Sequence, residues 1–447
     1  MSFSGSVSTA PLPTPPNVNE KLQMREETIK RVRFSLKSAA QGTTSPQSDS
    51  ATIDHLIGHV SPQLVENDEL QIYFLPPISR KNEGQGQALL DDPVLCRELT
   101  DKLHLEPFFL TTSAWDSNGF FSSRQLVRSE TQEGYSYGSR FLIKFLAENY
   151  GEGATDFSWS FVSFSVLWSK NRFTNKVSCV LVCYDDAADI KTEIVEGLRN
   201  YTLGNIRESP YAVFDAMLGV IVWQFDKALW KFRTPIRTIE KTRRRVVKRR
   251  MELDPTHEDG GISDDHPEEL AELSRHTLHM TETISVAMKT ASMALLRADT
   301  QSRSVDCLTN GAMRLENVVA GIQFSSSFLG SLKERANAFA ERVRNEIQTA
   351  NNLVNILQLK LNEDLLEEAR DESKDLTRFV TNLTLFFLPV TFVSGFWGMN
   401  LVELDENKLV TFSPHIWMFV VSAVGAVAVS YSTWYLLFRK TKDKGIK

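Results

Sequence analysis

The chain has 447 residues, 42% of them hydrophobic and 24% charged, with a formal net charge of -6 and a sequence pI near 5.9. That is the composition of an ordinary folded protein, long enough for about two or three domains. It excludes a wholly disordered chain, and without a general basic excess no nucleic acid is expected as a partner.

The four cysteines, Cys96, Cys179, Cys183 and Cys307, form no CxxC pair and no Cys/His array with zinc spacing. Cys179 and Cys183 share one face of an apolar run and read as buried structural thiols.

Residues 1–50 are dominated by Ser, Thr, Pro and Gln and predict a disordered tail. Met1 to Asn19 has neither the basic start nor the apolar segment of a signal peptide, and is not rich in arginine, which speaks against a mitochondrial presequence.

Residues 51–208 then carry short β-rich runs, at Gln71 to Leu75, Phe108-Phe109-Leu110, Trp159 to Trp168 and Val177 to Tyr184, between Gly, Asn and Asp turns. With helical stretches expected between them, such as Ser139 to Asn149, this predicts an α/β cytosolic domain with a mostly buried sheet.

Residues 209–314 read as helical. The stretch Tyr211 to Arg250 moves from an apolar segment, Ala216 to Trp223, into Arg243-Arg244-Arg245-Val246-Val247-Lys248-Arg249-Arg250. Those bases suit a solvated helix face, with a lipid or anion site as the alternative. The acidic segment 252–269 reads as a flexible linker that answers this charge. His276 and His279 share a helix face, but no third metal-type ligand is close in sequence, so a structural role is expected.

Residues 315–378 contain no proline, and Leu353, Leu357, Leu361 and Leu365 recur among charged neighbours, as in a long stalk helix.

No side chain is charged between Arg378 and Glu403, or between His415 and Arg439. Each stretch matches the roughly 20 apolar residues that cross a bilayer core of about 30 Å. Transmembrane helices are therefore expected at 379–402 and 416–438, joined by an outer loop at 403–415. The tail, 439–447, carries Arg439, Lys440, Lys442, Lys444 and Lys447, whereas Lys408 is the loop's only base beside Glu403, Asp405 and Glu406. Basic flanks stay inside, so both termini are expected in the cytosol and the acidic loop outside.

In the first span, Thr377, Val380, Thr384, Leu388, Thr391 and Gly395 follow one another at steps of three or four and form one lightly polar stripe. Two readings are open: oligomerisation around the stripe makes a pore, or each threonine bonds back to its own helix. Pro389 removes a backbone donor in mid-span. Asn400 falls off the stripe on a straight helix, so it reaches a pore only if the helix breaks before it, for which Gly398 is the natural place.

The segment Leu385-Phe386-Phe387-Leu388-Pro389-Val390-Thr391-Phe392-Val393-Ser394-Gly395-Phe396-Trp397-Gly398-Met399-Asn400 resembles the first transmembrane helix of the CorA family of magnesium channels. Gly398-Met399-Asn400 stands where that family has its Gly-Met-Asn hallmark, after a Pro-x-Thr-Phe stretch and before one last span and a basic tail. Trp397 replaces the family's usual Tyr, and the wider pattern resembles a divergent, fungal or other eukaryotic branch.

The resemblance implies a homopentamer whose first span lines the pore. By position it matches Thr377, Val380, Leu388 and Thr391 to pore-facing sites and Asn400 to an entrance ring that holds Mg2+ through its hydration water. It also implies that intracellular Mg2+ is regulatory. Glu403, Asp405 and Glu406, repeated around the ring, would concentrate cations there.

A zinc, nickel or cobalt transporter of the same family is a second reading, and a non-conducting, membrane-anchored scaffold a third. An enzyme is not expected, because no phosphate loop, nucleophile elbow or HExxH motif is present. The amino terminus favours a plasma or vacuolar membrane over a mitochondrial one.

Overall fold

Seven strands account for the β-rich part of the sequence: β1 (Thr28–Ser35), β2 (Gln47–Thr52), β3 (Glu69–Phe74), β4 (Gly119–Arg128), β5 (Gln132–Leu146), β6 (Phe157–Asn171) and β7 (Lys176–Tyr184). They form one mixed sheet in the order β2-β1-β3-β7-β6-β5-β4. β3 and β7 run parallel, and every other neighbouring pair is antiparallel. This computed structural model describes residues 28–36, 46–59, 68–76, 89–147, 156–184, 188–251, 266–303, 310–397, 402–404, 410–412 and 414–442. The chain divides into two units, 1–349 and 350–447.

In the first unit each side of the sheet has its own apolar layer. The short helices α1 (Ile53–His59), α2 (Pro93–Lys102) and α3 (Thr112–Trp115) belong to one, in which Leu56, Leu95, Leu99 and Phe109 pack with Val180, Val182 and Tyr184. The other layer contains α4 (Ala188–Asn200), α5 (Leu203–Glu208), the long helices α6 (Ala212–Met251) and α7 (His266–Ser302), and the start of α8 (Asn310–Trp397). There Phe121, Tyr137, Phe141 and Phe164 meet Phe214 of α6 within 5.3–6.5 Å, ring centre to ring centre. The buried Trp168 indole donates to the carbonyl of Ile206 at 2.7 Å.

Three expectations are corrected here. Ser139 to Asn149 is not helical; as far as Leu146 it is the second half of β5. Residues from Ser139 to Ile143 are buried on both sides of the strand, so the alternation that marks a strand is lost and the apolar spacing imitates a helix.

The tail expected over 1–50 contains β1 and the start of β2. Ile29, Val32 and Phe34 are buried although their surroundings are polar, because one eight-residue strand between two others needs few apolar side chains. Phe108-Phe109-Leu110 is a turn, and Phe109 is buried where a β-carbon on Gly138 would collide with its ring. The runs assigned to β3, β6 and β7 are strands as expected.

The helix pairing of the first unit follows from periodicity. On α8, Leu315, Val318, Ile322, Leu329, Leu332, Ala336, Phe339 and Val343 are buried at helical spacing. Arg335 reaches Asp226 at 3.4 Å and Arg342 reaches Glu240 at 2.7 Å, tying α8 to α6. In the second unit the same helix exposes Leu359, Leu361, Leu365, Leu366 and Leu376. The connection after it is not a plain loop: β8 (Val402–Leu404) pairs antiparallel with β9 (Val410–Phe412) before α9 (Ile416–Lys442). The first apolar helix is described as far as Trp397, and the remaining residues of the expected span, 398–401, lie outside the described residues.

Asp215, in the first turn of α6, accepts from the Tyr201 hydroxyl at 2.7 Å and sits where a β-carbon on Gly321 of α8 would collide with its carboxylate. Burial pushes its carboxyl up from 3.8 to about 6, with the Tyr201 bond working the other way. Because the folded value is raised, this group's contribution to stability is present at low pH and is lost as pH rises through about 6. Asp215→Asn should therefore flatten the fall in melting temperature between about pH 4 and pH 6, measured on the full chain in detergent. Equal slopes for the two proteins would show that the carboxylate is not buried as described.

Candidate functional site

The carboxyl-terminal part of α8 carries no charged side chain after Arg378, and α9 none before Arg439. In the most apolar stretch of α8 11% of residues are buried, and in that of α9 none. Core helices of a soluble domain would be mostly buried, so these two surfaces need another apolar medium or other chains.

Thr377, Val380, Thr384, Leu388, Thr391 and Gly395 are all exposed in the isolated protomer, Val380 by 51% and Leu388 by 66%. Their spacing on one helix places them on one face. The sheltered positions of the same helix are Pro389 and Val393, with Leu385 half-buried one turn earlier, and this strip lies about 120° round the helix from the stripe. Spacing alone had singled out the stripe but not this second strip. Its signal was the repeat of residues four apart, Leu385, Pro389 and Val393, centred on the proline.

Each threonine of the stripe donates its hydroxyl to its own helix. Thr377 bonds to the Ser373 carbonyl at 2.7 Å, Thr384 to that of Val380 at 2.8 Å, and Thr391 to those of Phe387 and Leu388 at 2.8 and 3.0 Å. Between the two readings of the stripe, back-bonding is thus the state of the protomer. It satisfies the only donor of each hydroxyl and leaves oxygen lone pairs facing outward, so it does not remove the polar character of the face.

The helix is described as far as Trp397. Gly398, Met399 and Asn400 lie outside the described residues, as do Asp405 and Glu406. The backbone of Glu403 is the middle residue of β8, paired with Thr411.

Elsewhere the expected structural residues are buried. Cys96, Cys179 and Cys183 are buried free thiols, while Cys307 lies outside the described residues. His276 and His279 pack on Phe157 and Trp159 with ring centres 4.6 and 5.8 Å apart. Between them lies Lys144 of β5, fully buried, its Nζ 3.9 and 4.5 Å from the centres of the same two rings and 3.3 Å from Nδ1 of His279.

Burial, with Arg275 next, pushes the Lys144 amine down to about 8, and burial with Lys144 next pushes His276 down to about 4. The histidines are thus neutral partners of a caged ammonium. Among the described residues no group of three or more His, Cys, Asp or Glu is arranged to hold a metal ion.

The model of the CorA-like Mg2+ transporter protein family matches residues 189–440, more than half of the chain, and takes in α6, α7, α8, Gly398-Met399-Asn400 and α9. The chain belongs to the CorA-like Mg2+ transporter family. The Notoamide biosynthesis cluster protein M' of Aspergillus versicolor is 24% identical over 280 residues, which cover 60% of this chain and 56% of that protein. The present chain thus spans little more than half of that relative. The soluble domain of CorA from Methanocaldococcus jannaschii aligns with 8% identity over 70% of this chain and 95% of that one, at a TM-score of 0.31.

A CorA-like chain whose stripe hydroxyls are satisfied within the helix should tolerate their loss. Thr384→Val and Thr391→Val are expected to leave membrane insertion, elution volume and melting temperature as in the unaltered protein, since Val keeps the shape and removes one internally satisfied donor. Aggregation or loss of expression would mean that these hydroxyls have an essential partner beyond their own helix.

Proposed function

We propose that this chain is the subunit of a homopentameric channel that conducts Mg2+ down its electrochemical gradient, with the stripe from Thr377 to Gly395 lining the pore and Gly398-Met399-Asn400 forming its outer mouth. Membership of a family of Mg2+ transporters supplies the class of cargo. The observation that carries the arrangement is the separation of the two strips on α8: the sheltered one holds Leu385, Pro389 and Val393, and the lightly polar one is left wholly exposed. The stripe's hydroxyls are satisfied within the helix, and symmetric copies arranged around it would enclose a water-filled path faced by their oxygens. The exposed leucines of the stalk, Leu359 to Leu376, ask for the same partners.

Both termini are assigned to the cytosol, in a plasma or vacuolar membrane, from the basic residues after α9 and the acidic loop before it. Glu403, Asp405 and Glu406 of each subunit would then raise the cation concentration outside the mouth. Leu388 and Val380 would close the pore by excluding water, and Thr384 and Thr391 would offer hydroxyl oxygens to a hydrated ion.

Mg2+ gives up its water reluctantly and prefers octahedral oxygen coordination. A ring of Asn400 carbonyls would therefore select it by bonding to that water shell rather than by replacing it. Regulation by intracellular Mg2+ belongs to the same proposal, without assigned residues.

The gate is tested by Leu388→Asn, which should raise basal Mg2+ flux in liposomes holding only the purified protein; unchanged or lower flux at equal incorporation would take Leu388 out of the pore. The mouth is tested by Asn400→Ala. It removes one acceptor per subunit, each worth about 1 kcal/mol, so the losses multiply around the ring and flux should disappear while assembly persists. Asn407→Ala, in the same outer segment, is the control and should conduct normally. Parallel assays with Zn2+, Ni2+ and Co2+ decide the cargo, and absence of flux with every ion would favour the scaffold reading.

A further inference from the structure

The solvent face of α6 has a composition that ion conduction does not use. From Gly219 to Lys241 the exposed positions are Trp223, Lys227, Trp230, Arg233, Arg237 and Lys241, with Gly219, Thr234 and Thr238 beside them. The remaining positions are buried or half-buried, and the acids among them are engaged: Asp226 with Arg335 and Glu240 with Arg342. No exposed position of this stretch is acidic. The six named residues recur at three- or four-residue steps from Trp223 to Lys241, making one stripe along the helix, with Arg233 at its margin.

The two tryptophans are 55% and 42% exposed, and each has a cation over its ring: Lys227 at 5.5 Å from Trp223, Arg233 at 5.0 Å and Arg335 at 4.8 Å from Trp230. Beyond Lys241 the sequence adds Arg243, Arg244, Arg245, Lys248, Arg249 and Arg250 before the helix ends at Met251. In a chain of formal net charge -6 this is a strong local inversion of sign.

We propose that this face of α6 docks on an anionic phospholipid surface. Indole rings settle at the boundary between headgroups and acyl chains, with the ring against the apolar layer and the N–H among polar groups. Arg233, Arg237 and Lys241 beside them meet the phosphate and serine headgroups of a negatively charged leaflet, while Lys227 is paired with Glu193 of α4 at 2.5 Å. The membrane family to which the chain belongs keeps such a surface at high local concentration. A second copy of the chain suits the face less well, because an identical stripe would bring like charges together. A bare polyanion would use the bases and leave the two exposed indoles without a purpose.

The experiment uses the full chain held in amphipol and co-sedimented with vesicles of phosphatidylcholine alone or with about one third phosphatidylserine, a strongly anionic surface. Binding is expected to the mixed vesicles alone and to fall with added salt. Arg237→Glu with Lys241→Glu should weaken it at least about tenfold, since two attractive charges become repulsive. Trp223→Ser with Trp230→Ser should weaken it by a similar factor. All four positions are exposed, so melting temperature and elution volume should not change; the control Arg344→Glu, on α8, should bind as the unaltered protein does.

Equal binding to both kinds of vesicle, or full binding by the charge-reversed protein, overturns the proposal. So does binding to a single-stranded RNA oligonucleotide with none to vesicles, or a stripe-dependent change of oligomeric state in its place.

Discussion

Helix α8 carries two apolar seams along one backbone, and they are satisfied by different means. Between Leu315 and Val343 the seam is closed within the protomer by α6 and α7. From Leu359 onwards the helix exposes leucines as far as Leu376, and then Phe379, Phe386, Phe387 and Phe392. Burial of apolar area at about 25 cal/mol per Å2 is the main source of stability available to any fold, and an exposed seam of this length is an equal liability. A stalk of leucines among charges can be covered by other copies of the chain, and a span without charges by lipid. The proposed assembly follows from where those two kinds of surface stop and start.

Inside the span the balance is finer. A hydroxyl in hydrocarbon needs a partner, and Thr377, Thr384 and Thr391 each find one three or four residues back. The stripe can therefore exist on a lone helix during insertion without an orphaned donor, and still offer oxygen lone pairs once copies have gathered around it. The two readings that spacing alone left equal are in this sense successive uses of the same atoms. Pro389 adds to this, because it leaves the carbonyl of Leu385 without its usual helical donor on the sheltered side, away from the stripe.

Legibility differed along the chain for physical reasons. The two long apolar helices could be read because uninterrupted absence of charge is a one-dimensional signal, and α6 because its apolar residues face one way. Strands β6 and β7 announced themselves by β-branched and aromatic content. β5 did not. Arg140 and Lys144, both buried, break its apolar run, and their acceptance depends on contacts no local window contains: Arg140 lies over Phe161 at 4.1 Å and Lys144 in the cage of Phe157, Trp159 and His279.

β1 was hidden by averaging, since Val32 and Phe34 sit among arginines that become acceptable only when Asp49 of β2 pairs with them. Of the candidate site, the shared helix face of the stripe could be read from its spacing, whereas the sheltered strip beside it and the β8–β9 hairpin could not. Three-residue strands leave almost no pattern to read.

The Lys144 cage also bears on how a cation-handling protein can keep basic groups in its own core. A buried ammonium is costly unless its lost hydration is replaced, and here two ring faces and one imidazole nitrogen replace part of it. The pressure that remains appears as the lowered pKa of Lys144, and the neighbouring His276 answers by staying neutral near pH 7. The same two histidines that look, by spacing, like the start of a metal site are thus held uncharged beside a resident cation, which would repel a metal ion approaching them. The candidate ion path, in contrast, is built from neutral oxygens and apolar side chains, with its acidic residues confined to the outer segment. Beyond Arg378, at its inner end, a divalent ion on that path would meet no fixed positive charge from Phe379 to Asn400, a segment without a lysine or an arginine.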